Sequence, residues 1–488
     1  MSVFEKYSTV IERTETIRYI GRVNRVQGLL IESDGPQAVV GEVCQIELSP
    51  GGPTVAGEVV GLRGGTVQIM PFQEIDGIQL GSRVVATGST LQVPVTEALL
   101  GRVLGPMGKP VDGRGQPGSE TVYPVLTTPP DPLERQTIRE QLVTGVRSID
   151  GLVAVGKGQR IGVFSGSGVG KSTLIGMVAR NTRADINVIA LIGERGREVR
   201  EFLENDLGPE GLARSVVVVS TSNTPPLARL RGAFVATTIA EYFRDQGKDV
   251  MLLFDSVTRF ARAQREIGLA TGEAPATRGF PPSVFSLLPK LLERSGTGAE
   301  GSITGFYSVL VEGDDMDEPV SDTVRGILDG HIELSRPLAQ RYHYPAVDVL
   351  NSVSRLATKV TTREHQDAAG QVRRLLATYR ESEDLINVGA YAKGSNGEID
   401  EAIEKVPNIN AFLRQRVDEP APIAETREGL LSVAVGHPFA PDSGAAEAAA
   451  QAEGEPIAGN SEQREPGSAA SNSQGFSELS NLIGGQNA

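Results

Sequence analysis

Three rhythms of apolar and polar residues follow one another along the chain. From about residue 17 to 95, short β-rich pieces alternate with glycine-containing turns, as in YIGRVNRVQGLLIESDGP and GEVVGLRGGTVQIMPF. That spacing predicts a small all-β barrel or sandwich. From 158 the order becomes strand, helix, strand, helix: QRIGVF, a helix opening at Ser172, INVIALIG, then REVREFLEND. It continues through SVVVVSTS at 215–222, the helix LARLRGAFVATTIAEYF, VMLLFDS at 250–256 and SITGFYSVLVEG at 302–313. These strand segments are apolar throughout rather than alternating, as strands buried on both faces are. A mostly parallel sheet covered by helices is therefore predicted. Past about 358 the strand pattern gives way to helical stretches such as QVRRLLATYRESEDLINV and DEAIEKVPNINAFLRQRV.

Between these regions, proline and glycine cluster at 100–117 and 123–136, which predicts connecting loops rather than core elements. Ahead of the barrel, Phe4, Tyr7, Val10 and Ile11 fall at helical spacing, a short amphipathic helix that is marginal alone. From 436 the chain is rich in Ala, Gly, Ser, Glu and Pro with little to bury, which predicts disorder. At its far end Phe476, Leu479, Leu482 and Ile483 share a helical face, read as a chance apolar patch in preference to a docking segment. The expected plan is a multidomain α/β protein: a partner-binding helix over 1–16, a β-barrel over 17–95 and a RecA-like P-loop domain over 96–358. A helical domain over 359–435 and a low-complexity tail over 436–488 complete it.

Composition narrows the function. A length of 488 residues requires several cores. The single cysteine, Cys44, rules out an intramolecular disulfide and fits a reducing compartment. No apolar run approaches a membrane span, and MSVFEKYSTVIERTE lacks the apolar core of a signal peptide. A cytoplasmic protein, neither exported nor integral to a membrane, is expected. The net charge of −14 gives no general attraction for polyanions, so nucleic acid is not an expected partner.

The chemistry concentrates in GVFSGSGVGKST at 162–173, which matches the P-loop pattern except that Ser165 replaces its first glycine. Backbone amides of Ser165, Gly166, Ser167, Gly168, Val169 and Gly170, with Lys171, Ser172 and Thr173, can converge on phosphates at a helix N-terminus. Lys171 can reach the terminal phosphates, and the Ser172 hydroxyl can ligate Mg²⁺. At 165 the chain is leaving a strand, where a small residue with ordinary extended angles suffices. The bland alternative, a glycine-rich turn with an accidental Gly-Lys-Ser, does not explain why a strand precedes the loop and a helix follows it. Asp255, at the end of VMLLFDS, is the candidate second Mg²⁺ anchor; alone it reads equally as an ordinary strand end. Glu194, just past INVIALIG, is the candidate for activating water, with a solvated loop carboxylate as the alternative.

Together with GERGREVREF, LLFDSVTRFARAQRE, GEAPATRGFPPSVF, VEGDDMDEPVSDTVRGILDGHIELSR and YPAVDVLNSVSR, the P-loop segment resembles the catalytic subunits of rotary ATPases and their secretion relatives. Within them the chain is most similar to the flagellum-specific ATPases of type III protein export, over roughly 17–435. The resemblance implies an ATPase using ATP and Mg²⁺, with the roles just given to Lys171, Ser172, Asp255 and Glu194. It also implies that Arg195 and Arg259 lie near the γ-phosphate, that Tyr344 lies against the adenine, and that Arg355 is an arginine finger acting in a neighbouring subunit's site. In ATP synthases the GER glutamate and the VSR arginine belong to different subunits; this chain carries both Glu194 and Arg355, which implies a homohexamer. The implied partners are a regulatory stalk protein at the N-terminus, a central stalk protein, the export gate and substrate–chaperone complexes, with only peripheral membrane contact.

Three alternatives compete with flagellar export. A virulence-type (injectisome) secretion ATPase shares the motifs. A nucleotide-binding structural subunit of a rotary proton ATPase has no use for Glu194. An RNA helicase of the terminator type needs an aromatic, basic single-strand platform, and this chain is acidic and has no tryptophan.

Overall fold

The computed structural model describes residues 20–439 except 312 and 314. The expected N-terminal helix with Phe4, Tyr7, Val10 and Ile11, and the terminal patch at Phe476, Leu479, Leu482 and Ile483, lie outside the described residues.

The first rhythm closes into a barrel. Strands β1 (Ile20–Gln27), β2 (Leu30–Ser33), β3 (Glu42–Glu47), β4 (Thr54–Arg63), β5 (Thr66–Pro71) and β6 (Arg83–Thr90) pair in the closed order β1-β2-β5-β4-β3-β6. Alternate residues point inward, so Val23, Ile31, Cys44, Ile46, Val59, Ile69 and Val84 fill a small core of their own. Burial pushes the Cys44 thiol up to about 12, which makes it packing rather than chemistry.

The second rhythm forms one large sheet. Its strands are β7 (Arg102–Leu104), β8 (Arg160–Ser165), β9 (Ile186–Glu194), β10 (Ser215–Thr221), β11 (Asp249–Asp255), β12 (Ser302–Leu310), β13 (Gly330–Leu334) and β14 (Val347–Ser354). They lie side by side as β14-β13-β8-β12-β11-β9-β10-β7, with Gly296–Thr297 adding a short antiparallel piece to β12. Every pairing along this path is parallel except β13 with β14. Alternation explains the unbroken apolar runs. Val188, Ala190 and Ile192 of β9 enter the core under helices α2 (Pro226–Asp245) and α3 (Val257–Ala270). Ile189 and Leu191 enter the opposite core with helix α1 (Lys171–Asn181). That second core continues into α4 (Arg363–Asn387), α5 (Gly397–Leu413) and α6 (Ile423–Val435), so the helical region packs directly on the sheet's α1 face. Among the described residues no helix is long and apolar enough to cross a membrane.

Two expectations need correction. The stretch 100–117 is not all loop, because β7 adds an edge strand to the sheet, with Val216, Val217 and Val218 paired to Arg102, Val103 and Leu104. Buried Arg102 explains it: its fork holds Asp112 at 2.7 and 2.9 Å and the carbonyls of Arg114 and Gly115, folding the glycine-rich stretch back on the strand. Three residues are too few for a periodicity to announce them. Nor does the packed chain stop before 436. Phe439 meets Phe412 edge-on, at 5.3 Å between ring centroids. The rest of the low-complexity segment lies outside the described residues.

Buried charge joins barrel to sheet domain. Glu58 on β4 faces Arg231 on α2, with 3% and 10% of the two side chains exposed and Nε donating to Oε2 at 2.7 Å. Arg294, fully buried, is satisfied in the same way by both oxygens of Glu241, by Thr238 Oγ1 and by the Val125 carbonyl. Removing one partner of such a pair leaves the other charge uncompensated in a dry site. Glu58→Ala is therefore expected to cost about 3–5 kcal/mol, read as a lower melting temperature; an unchanged melt contradicts a buried ion pair at this junction.

Candidate functional site

The carboxyl ends of β8, β9, β11 and β12 lie together because the strands are parallel, and the loops leaving them share one edge of the sheet. β8 ends at Ser165, flanked in register by Leu310 of β12 and Leu334 of β13 and only 3% exposed. It is the last extended residue before the loop, and a serine fits there. The loop then turns through Gly168 at φ 75° and Gly170 at φ 93°, the latter opening α1. No heavy atom lies within 4 Å of where a Cβ on Gly168 would sit, so the backbone there borders open space rather than protein. Ser167 and Gly168 are exposed at its tip, Val169 is buried beneath, and Ser172 is exposed on the first turn of α1. Backbone amides at the start of a helix suit a phosphate.

Side chains from several elements converge at this loop. Lys171 Nζ donates to Asp255 Oδ1, and the same oxygen accepts a hydrogen bond from Ser308 Oγ at 2.6 Å. Glu194, at the end of β9, sits close enough to both that its carboxyl responds to their charges. Burial and the Asp255 carboxylate push it up to about 7, against the pull of Lys171 and Arg259. Arg259, on α3, runs its stem under Gly193, whose φ of 74° and missing Cβ make room for it; a Cβ there would lie 2.8 Å from Arg259 Cβ. Its buried Nε has no hydrogen-bond partner. Arg195 takes another course: its side chain is 65% exposed and paired with Glu198 at 3.0 Å.

Beside the loop opens a cavity of about 580 Å³ lined by Gly170, Thr173, Leu174, Met177, Tyr342, Tyr344, Pro345 and residues 414–419. Tyr344 stands 3.5 Å from the Cβ position of Gly170 and meets Tyr342 edge-on at 6.4 Å. An apolar slot next to a phosphate-binding loop has the shape and lining of a base pocket.

Arg355 is elsewhere. It follows β14, which is antiparallel to β13, and its N–H bonds to the Asp329 carbonyl. Gly330 pairs with Ser354, and His331 pairs with Gly162. Arg355 therefore lies level with Arg160 at the start of β8, roughly 17 Å from Ser165 at about 3.3 Å per strand residue. It faces a separate hollow with Asp322, Arg325 and His331.

The donor set fits Mg²⁺ and a nucleotide. Ser172 and Asp255 offer oxygen ligands, and Mg²⁺ prefers one or two protein oxygens with the rest from water and phosphate. Among the described residues no cluster of three or more His, Cys, Asp or Glu forms a cage by itself, consistent with a shared site. Sequence reasoning missed Ser308, Arg336, whose Nη1 reaches the Ser167 carbonyl at 3.4 Å, and the whole 414–419 wall. Strand order would have flagged Ser308, which lies one position past the residue paired with Phe254.

A strand, glycine loop and helix with a lysine and an aspartate at the carboxyl edge of a parallel sheet define a P-loop nucleotide hydrolase. Comparison with known proteins narrows the class. The ATP synthase alpha/beta family nucleotide-binding domain matches residues 145–354, its beta-barrel domain 23–88, and the T3SS EscN ATPase C-terminal domain 361–432. The flagellum-specific ATP synthase of Treponema pallidum (strain Nichols) is 58% identical, over 87% of this chain and 95% of its own length. A type 3 secretion system ATPase of Xanthomonas euvesicatoria is 51% identical, over 85% and 94%. The assembled ATPase EscN of enteropathogenic E. coli superposes with a TM-score of 0.81 at 45% identity, covering 85% of this chain and all of that one. EscN in complex with its central stalk EscO superposes at 0.79, again at 45% identity and with the same coverage of both chains. The chain belongs to the ATP synthase alpha/beta family, in its branch of flagellum-specific and type III secretion ATPases, and it is an ATPase.

A catalytic base must be ionised, so if Glu194 is that base, protonating it would remove the activity it supports. The profile of kcat/KM, which reports the free enzyme, is expected to fall as pH drops through about 7. Glu194→Gln is expected to abolish that limb along with most turnover; a wild-type acid limb in this variant contradicts the assignment.

Proposed function

We propose that this chain hydrolyses ATP with Mg²⁺ in a homohexameric ring and couples it to flagellar type III protein export. It would engage, release and partly unfold export substrates or chaperone complexes at the cytoplasmic face of the inner membrane. One observation carries the shared-site part of this reading: Arg355 lies at the opposite end of the sheet from its own P-loop. An arginine so placed can serve a γ-phosphate only in a neighbouring copy.

In this reading the amides of Ser165–Thr173 hold the phosphates, and Lys171 exchanges Asp255 for a terminal phosphate oxygen. Ser172 and Asp255 are the residues that would hold Mg²⁺. When bound, Mg²⁺ supplies neutralisation of charge across the β- and γ-phosphates. Glu194 accepts a proton from the attacking water, and its position between burial and the Asp255 charge keeps it near the pH at which a base works best. Arg259 flanks it, Arg195 reaches the site by leaving Glu198, and Tyr344 lies along the base. Arg355 from the next copy stabilises the charge that develops in the transition state.

The name of the 58% identical relative supports flagellar over injectisome export, whose matching relative stands at 51%. The complex of EscN with EscO supports a central stalk protein as a partner. A regulatory stalk protein at residues 1–16 and the export gate complete the proposed contacts.

Sites completed only on assembly make turnover depend on concentration. ATPase rate per subunit is expected to rise steeply with protein concentration, and Arg355→Ala to lose about 10³-fold or more while still binding nucleotide. A concentration-independent rate, or wild-type turnover in Arg355→Ala, contradicts the shared site.

A further inference from the structure

The cavity beside the P-loop owes one wall to residues 414–419, the segment between α5 and α6. That segment is suspended on hydrogen bonds. Gln415 donates its backbone N–H to the Tyr344 carbonyl at 2.9 Å. Its side-chain amide donates to the carbonyls of Gly145 and Glu419, and its side-chain oxygen accepts from the backbone N–H of Arg147. The anchor with the widest grip is the Arg147 side chain, on the short helix Arg147–Leu152, with only 4% of the residue exposed. Its Nε donates to the Phe412 carbonyl at 2.8 Å, its Nη2 to the Arg414 carbonyl at 2.5 Å, and its Nη1 to Glu419 Oε1 at 2.5 Å. One rigid planar fork thus holds the end of α5 and both ends of the cavity wall, a geometry a lysine cannot reproduce.

Phe439 packs against this fork. Its ring centroid lies 5.0 Å from the Arg147 guanidinium carbon, and the ring meets Phe412 edge-on. Gly429 on α6 leaves the space it needs: a Cβ there would come within 2.9 Å of Phe439 and 3.1 Å of Phe412. An aromatic ring over a buried cation is an attractive contact, and here it sits just past the helix that closes the helical region.

We infer that Phe439 and Arg147 are positioning residues of the nucleotide site. The Phe439 ring fixes the Arg147 fork, and the fork fixes the 414–419 wall against which the base rests. Neither residue lines the cavity or approaches the Lys171–Asp255 pair. The segment that leaves α6 therefore tunes how tightly the base is held, without entering the hydrolytic step. The inference rests on the reading of this cavity as the base pocket, and the test separates the two.

In the full-length protein, KM and kcat for ATP are measured beside the inhibition constant of inorganic tripolyphosphate, which offers phosphates and no base. Phe439→Ala and Arg147→Lys are expected to raise the KM for ATP by about threefold to tenfold, on the scale of a lost cation–π contact or a broken arginine fork. The kcat and the tripolyphosphate constant are expected to stay at wild type, and Phe439→Tyr, which keeps the ring, to restore the KM. A wild-type KM in Phe439→Ala, or a parallel rise in KM and tripolyphosphate constant, overturns the positioning role. Tyr344→Ala is the control for the pocket. If it leaves the ratio of ATP to tripolyphosphate binding unchanged, the base-pocket reading fails. If it shifts that ratio and Phe439→Ala does not, only the positioning inference fails.

Discussion

The polarity of the parallel sheet is the constraint from which the rest of the architecture follows. Strands running the same way deliver Ser165, Glu194 and Asp255 to one edge, and the antiparallel return of β14 delivers Arg355 to the other end. A side chain cannot cross the roughly 17 Å that five strand steps span, so one copy holds a phosphate cradle and an arginine that cannot meet. On the proposed reading each copy is an incomplete enzyme. The same incompleteness lets identical copies complete one another around a ring, as a heterologous interface that closes on itself does.

Buried charge keeps the parts of one copy in register for that purpose. The Glu58–Arg231 pair ties barrel to sheet, Arg294 ties α2 to the segment at Val125, and Arg147 ties the sheet domain to the helical region. Each is a planar guanidinium whose donors reach several partners, so each fixes orientation as well as distance. The cavity wall at 414–419 inherits its position from the last of these. The proposed base pocket is thus set by contacts between domains, not by the P-loop alone.

The residues legible in the sequence were those whose chemistry is local. Lys171 and Ser172 announce themselves because strand, glycine loop and helix are contiguous, and Asp255 and Glu194 because each ends an apolar run. The barrel was legible from alternation, although the pattern alone also allows a sandwich; closure depends on β1 pairing with β6, more than fifty residues apart in the chain. What stayed hidden depends on contacts far apart in sequence. The strand Arg102–Leu104 is too short to show a period and is held by Asp112 and two carbonyls. The 414–419 wall has no motif of its own, and its place in the proposed base pocket depends on its meeting Tyr344, some seventy residues earlier. Phe439 sat inside a composition that reads as disordered, and its packing depends on the gap left by Gly429.

The claim that each active site is built from two copies is tested most directly by mixing two inactive variants. Glu194→Gln keeps a working Arg355, and Arg355→Ala keeps a working Glu194. In equimolar mixed rings, roughly a quarter of interfaces, one half times one half, then pair an intact glutamate with an intact arginine. The account predicts that mixing restores about that fraction of wild-type ATPase activity. A mixture no more active than the sum of its two components would contradict it.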